Sequence, residues 1–268
     1  MDKDKQIDDL KNVITDLQTQ NTQLSQKLAN LTQNPSDSLD GDFVSIASHE
    51  LRTPMTAIRS YAWMALHRSD VKLSEKLEKY LVRIVISSER MINMVNDLLN
   101  ISKLEEDTVE LHLEGVDLIS LCKDVLDEVY YSKSTDKTIQ MTLLEQPIPR
   151  ALADPERLRE VLLNLVGNAV KFSSNNTRVT IGFFSDGQTV ETFIKDEGPG
   201  ISKDDLGRLF KKFSRLDNSF TAMSTSGGTG LGLYISKKLI EKMQGRIWAS
   251  SDGEGKGATF SITLPVAR

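Results

Sequence analysis

Leu77, Leu81, Ile84, Ser88, Met91, Val95 and Leu98 recur at alternating intervals of four and three, and Val85, Ile92 and Leu99 widen the same stripe. A stripe of that period belongs to a helix packed along its whole length. The spacing predicts a helix over 74–105, preceded by another over 42–67 that carries Phe43, Ile46, Ala47, Pro54, Ile58 and Tyr61 on one face. A short connection beginning His67-Arg68-Ser69-Asp70 makes the pair an antiparallel hairpin. Two helices cannot cover stripes this wide by themselves, so a dimer closing a four-helix bundle is the economical solution.

Upstream, Ile7, Leu10, Ile14, Leu17, Asn21, Leu24, Leu28 and Leu31 form a heptad seam over 1–33, which predicts a coiled coil; an unstructured polar tail is the alternative. Asn21 is the one polar residue on that seam, and burying it requires two parallel chains in register. Pro35 then marks either a break or, with Asn34 as cap, the start of the next helix.

From 108 the pattern becomes mixed. Strands are expected at 108–113, 138–144, 178–184, 189–196, 246–250 and 258–264, and helices at 117–131, 155–171 and 230–243. Asp186-Gly187 reads as a hairpin turn, and Asp154-Pro155 as a cap followed by proline at the first helical position. The expected fold is α+β: a coiled coil (1–33), a helical hairpin (34–105) and an α/β sandwich with one sheet face covered (108–268).

A net charge of −5 offers no basic footprint for nucleic acid, and the absence of a run of about 18 apolar residues argues against a membrane span. Cys122 is the only cysteine, which excludes an intrachain disulfide and a cysteine-cluster metal site; it is expected to be a buried filler. The polar N-terminus does not read as a signal peptide. A cytoplasmic setting is expected, with room for excision from a longer, membrane-anchored protein.

Four clusters carry chemistry. On the helix at 155–171, Glu160, Asn164, Asn168 and Lys171 share an arc of roughly 80°, opposite Leu158, Leu162, Leu165, Ala169 and Phe172. A carboxylate, two amides and an ammonium suit a magnesium–triphosphate, although a plain solvated face would show the same pattern. Asp196-Glu197-Gly198-Pro199-Gly200 closes a strand with an acceptor and two glycines, which suits either an amino-bearing flat ligand such as adenine or a simple tight turn. Gly227-Gly228-Thr229-Gly230-Leu231-Gly232 leads into a helix N-terminus, an anion site in waiting. It matches neither a Walker A sequence nor G-x-G-x-x-G. Arg215 opens the polar stretch 214–226, a candidate lid, and is positioned to meet a phosphate or simply to be a surface arginine. Finally, His49 in Ser48-His49-Glu50-Leu51-Arg52-Thr53-Pro54 lies opposite the apolar stripe, where a neutral imidazole is available as a nucleophile.

In this order the clusters resemble the sensor histidine kinases of two-component signalling. Ser48–Pro54 is similar to the H box, 164–173 to the N box, Asp196–Gly200 to the first glycine box, Leu209–Phe213 to the F box, and 228–233 and 257–260 to later glycine boxes. The resemblance spans about 41–268 and implies an ATP-binding domain of the gyrase, chaperone and histidine-kinase type. It implies ATP with Mg²⁺ and autophosphorylation of His49, with Glu50 drawing a proton from the ring and Thr53 orienting water in a phosphatase reaction. Asn168 and Asn164 would hold the metal, beside the Glu160 carboxylate, and Lys171 and Arg215 would contact phosphates. Asp196 would read adenine with help from Thr259, and Phe172, Ile201 and Leu231 would line its pocket. Thr229, Gly230 and Gly232, like Gly198 and Gly200, would supply backbone and lid contacts. A homodimer and a response-regulator receiver domain are the implied partners. A nucleotide-gated ATPase of the same wider superfamily is the alternative, and it needs no H box.

Overall fold

Two long helices open the part of the chain described by the computed structural model, which covers residues 41–67, 74–131, 138–214 and 229–268. Helix α1 spans Gly41–Leu66 and α2 spans Glu75–Glu105, the latter capped by Ser74, whose Oγ accepts from Leu77 N–H. Arg52 Nη2 donates to Asn96 Oδ1 at 2.6 Å, tying the middle of α1 to the C-terminal part of α2 as an antiparallel pair requires. The expected stripe on α1 ran through Tyr61, yet Tyr61 is 71% exposed and Met55 and Ala62 are buried instead. On a helix these two lie seven residues apart on one face, whereas Tyr61 points about 100° from Ala62. The coiled coil expected at 1–33, the break at Pro35 and Arg215 lie outside the described residues.

The rest is two layers. Strands β2 (Ile139–Leu143), β4 (Thr177–Ser185), β5 (Thr189–Asp196), β6 (Arg246–Ser250) and β7 (Thr259–Pro265) form one sheet in the order β2-β4-β5-β7-β6. Among the described strands only the β2–β4 pair is parallel, because β3 (Ala151–Ala153) and helix α4 (Pro155–Phe172) intervene between them. Helices α3 (Leu118–Tyr131), α4 and α6 (Gly232–Lys242) cover one sheet face, and a short α5 (Lys203–Leu206) follows β5. Leu158, Leu162 and Leu165 of α4, fully buried, share a core with Ile181, Ile194, Ile262 and Leu264 of the sheet and with Cys122 of α3.

Local chemistry sets the boundaries. Asp154 Oδ1 accepts from Arg157 N–H at 3.0 Å, capping α4 ahead of Pro155, while its Oδ2 accepts from His112 N–H at 2.9 Å. Asp186 accepts from the N–H groups of Gln188 and Thr189, and Gly187 takes φ +85°, completing the β4–β5 turn. The strand expected at 108–113 is absent. Pairing begins later, where β1 (Glu114–Val116) meets β3, a three-residue strand whose small size left no periodic signal. The helix expected from 230 starts at Gly232, because Gly230 takes φ +75° and Thr229 Oγ1 accepts from Leu231 N–H. Among the described residues no helix is long and apolar enough to cross a membrane.

Candidate active site

Asp196 ends β5 facing inward, because alternation along the strand buries Val190, Thr192, Ile194 and Asp196 on one side. Its Oδ1 accepts from Gly198 N–H at 2.8 Å and Ala258 N–H at 3.2 Å, and the side chain is 5% exposed. Burial raises its carboxyl above the usual carboxylate range, and these two backbone bonds offset part of that rise. Glycines build the walls around it. A Cβ on Gly198 would stand 2.7 Å from Asp196 Oδ1 and 3.2 Å from the carbonyl oxygen of Phe172, so the loop after β5 lies against the last turn of α4. A Cβ on Gly257 would collide with the Asp196 carbonyl, and one on Gly200, at φ +74°, with the Gly253 carbonyl. Thr259 begins β7 beside this notch, paired with Lys195.

The same helix α4 carries the other half. Asn164 and Phe172 stand eight residues apart, which is about 12 Å along the axis, the scale of a nucleoside triphosphate. Asn164 Nδ2 donates to Ser236 Oγ at 2.9 Å, its Oδ1 accepts from Asn168 Nδ2 at 3.3 Å, and a Cβ on Gly232 would stand 2.7 Å from that oxygen. Asn164 therefore seats the N-terminus of α6 on α4. Glu160 pairs with Arg157 at 3.2 Å. Lys171 Nζ lies 5.1 Å from the centre of the Phe172 ring, which is 41% exposed. Ile201 and Leu231 are buried in the core, with Ile201 N–H donating to Ser251 Oγ.

The fit to magnesium rests on Asn168. Among the described residues no cluster of three histidine, cysteine or acidic side chains exists, so a cation here would lean on phosphate and water oxygens. Asn168 commits its amide nitrogen to Asn164 and keeps Oδ1 to offer, whereas Asn164 and Glu160 already have protein partners. The donor set thus suits Mg²⁺ held through one protein amide.

The structure brings together Phe172, Asp196, Gly198 and Thr259 at one end and Asn164, Asn168, Leu231 and Gly232 at the other. His49 and Glu50 are helical in α1, three and two residues before Arg52, and their side chains lie outside the described residues. Thr53 is exposed. Thr229 turns away from the notch: its Oγ1 donates to Asp97 Oδ2 of α2 at 2.6 Å. Sequence reasoning missed three contributors. Asp97 and Ser236 carried no signal, being ordinary polar residues on helices. The loop around Ser251, whose Oγ donates to the Gly257 carbonyl at 2.6 Å, had one in the repeated glycines 253, 255 and 257.

The family model of the His Kinase A (phospho-acceptor) domain matches residues 39–107, and that of the histidine kinase-, DNA gyrase B- and HSP90-like ATPase matches 153–268. The chain belongs to the sensor histidine kinases. Sensor histidine kinase WalK of Bacillus subtilis is 34% identical over 84% of this chain and 36% of its own length. The structure of full-length ShkA in complex with AMPPNP superposes with a TM-score of 0.66 at 30% identity, covering 84% of this chain and 46% of that one. Histidine kinase ThkA, solved with response regulator protein TrrA, gives 0.58 at 25% identity over 85% of this chain and 62% of that one. The chain spans about a third of the length of the curated relatives it matches.

Proposed function

We propose that this histidine kinase binds ATP along α4 and transfers its γ-phosphoryl group to His49. The observation that carries the proposal is the buried Asp196 acceptor in a glycine-walled notch, about 12 Å along one helix from the anion-ready start of α6. Adenine enters the notch and donates its amino group to Asp196, and the triphosphate runs past Lys171 and Asn168 toward Gly230–Gly232. Mg²⁺, held through Asn168 with Asn164 and Glu160 nearby, would neutralise the phosphate charge. Arg215 and Lys171 add positive charge, and Phe172, Ile201, Leu231 and Thr259 shape the pocket. In the transfer, the bond between the γ-phosphorus and the β,γ-bridging oxygen breaks and a phosphorus–nitrogen bond forms on His49. ADP leaves, and the other ring N–H passes its proton to Glu50.

His49 then passes its phosphoryl group to an aspartate of a receiver domain, and Thr53 orients water when the reaction runs as a phosphatase. The structure of ThkA with TrrA supports such a partner. A homodimer follows from α2, where Leu77, Ile84, Met91 and Leu98, spaced by seven, are 37–47% exposed in the single chain. The domain plan is a coiled-coil signalling helix (1–33), a dimerisation and phospho-acceptor domain (34–105) and an ATP-binding domain (108–268), acting in the cytoplasm.

The test is incubation with γ-labelled ATP. An acid-labile, base-stable label that disappears in His49→Gln is expected. Hydrolysis with no protein label would instead support the nucleotide-gated ATPase.

A further inference from the structure

Four polar contacts, made by three acidic residues, join α2 and the residue after its cap to the ATP-binding domain. Asp97 accepts from Thr229 at 2.6 Å. Glu105 accepts from Tyr234 Oη at 2.8 Å and pairs with Lys212 at 2.6 Å, and Asp107 pairs with Lys242 at 2.6 Å. Buried Ile101 and half-buried Leu104 lie between them and join the core of the sandwich. The contacts grip α6 near both ends, and one of them differs from the others. Glu105 and Asp107 hold side chains that the nucleotide reading leaves unused, whereas Asp97 holds Thr229, a residue of the glycine segment that receives the triphosphate.

Thr229 Oγ1 also accepts from Leu231 N–H at 3.2 Å, so the Asp97 carboxylate is coupled through one hydroxyl to the amide-rich start of α6. Among the described residues no side chain caps the N-terminus of that helix. The positive end of the helix dipole favours one anion nearby, and a second in the same place meets like-charge repulsion. A half-buried carboxylate and a triphosphate are two anions for one such place.

We propose that Asp97 is an autoinhibitory latch, competing with the nucleotide triphosphate for Thr229 and the N-terminus of α6. The proposal rests on the ATP-site reading above. Because Asp97 belongs to the helix paired with the one that carries His49, occupancy of the nucleotide site and release of the hairpin are linked. By reciprocity, whatever pulls α2 from Thr229 tightens nucleotide binding, and nucleotide loosens α2 by the same factor.

Calorimetric titration of the whole chain with a non-hydrolysable ATP analogue and Mg²⁺ tests this. Asp97→Ala should tighten binding about 3- to 10-fold, the worth of one hydrogen bond. Asp97→Asn, which keeps an acceptor and drops the charge, should fall between it and the native chain, and decides the matter alone if the alanine variant fails to fold. In the native chain, the analogue should speed amide hydrogen exchange over 97–105. Unchanged or weaker binding in the variants, or exchange over 97–105 that is unchanged or slowed, overturns the latch and leaves the ATP site standing. Failure of every variant and of the native chain to bind the analogue overturns the ATP site as well.

Discussion

Replacing Asp196 with asparagine separates folding from recognition. One oxygen, Oδ1, accepts both backbone bonds, at 2.8 and 3.2 Å, and asparagine offers an oxygen at the same place. Each bond loses its charge assistance, roughly 1 kcal/mol apiece. Against that loss, a neutral amide escapes the burial that raises the Asp196 carboxyl pKa, so the net change in stability is expected to stay within about 1 kcal/mol. Recognition fares worse. The second carboxylate oxygen becomes an NH₂ group, and with the adenine amino group directed at it, donor faces donor at a residue only 5% exposed. Leaving buried donors unpaired weakens binding about 10- to 100-fold.

The variant also loses a pH dependence. With a raised pKa, the folded chain keeps the Asp196 proton to higher pH than the unfolded chain does. Stability from this group therefore falls as pH rises from the ordinary carboxylate range through the raised value, and is level above it. Calorimetry with the ATP analogue and urea melts across pH 3–8 measure both effects. Unchanged affinity in a folded variant refutes the adenine assignment. A loss of more than about 3 kcal/mol of stability refutes the claim that the loop needs only an acceptor.

Three further outcomes are expected. Thr192 is fully buried and its hydroxyl has no hydrogen-bond partner among the described residues, so Thr192→Val should add about 1 kcal/mol and raise Tm by roughly 2–4 °C in scanning calorimetry; a lower Tm would mean the hydroxyl is satisfied. Asp154→Ala should cost about 1–2 kcal/mol at neutral pH, by urea midpoint, through loss of the α4 cap and the His112 bond. Burial pushes the Asp154 carboxyl up, but bonds from the Arg157, His112 and Glu156 amides and the Arg157 charge outweigh it and hold it below the usual range. Its contribution is therefore complete above the ordinary carboxylate pKa and lost as pH falls through the depressed value, and the variant's deficit should shrink in acid. Ile84→Glu, on the exposed heptad stripe of α2, should convert a dimer to a monomer by light scattering; a retained dimer would place the interface elsewhere.

Local patterns were legible in the chain because their causes are local. The period of Leu77–Leu98 is that of a helix, Asp154 before Pro155 caps one, and Asp186-Gly187 turns one strand into the next. The inward face of β5 and the polar arc of α4 likewise follow from periods of 2 and 3.6, so Asp196 and Asn168 could be named as candidate site residues before any packing was known. Where pairing lay between distant segments, the pattern failed. Residues 108–113 alternate like a strand but pair with no strand among the described residues, while Ala151–Ala153, too short to show a period, becomes β3 because β1 lies beside it. Packing also decided which polar groups stay available. Asn164 is taken by Ser236 across 72 positions and Thr229 by Asp97 across 132, leaving Asn168 as the amide with an oxygen to offer. A hydrogen bond between residues that far apart leaves no periodic mark on either segment, so only the folded chain distinguishes a ligand-binding side chain from one already bonded to the protein.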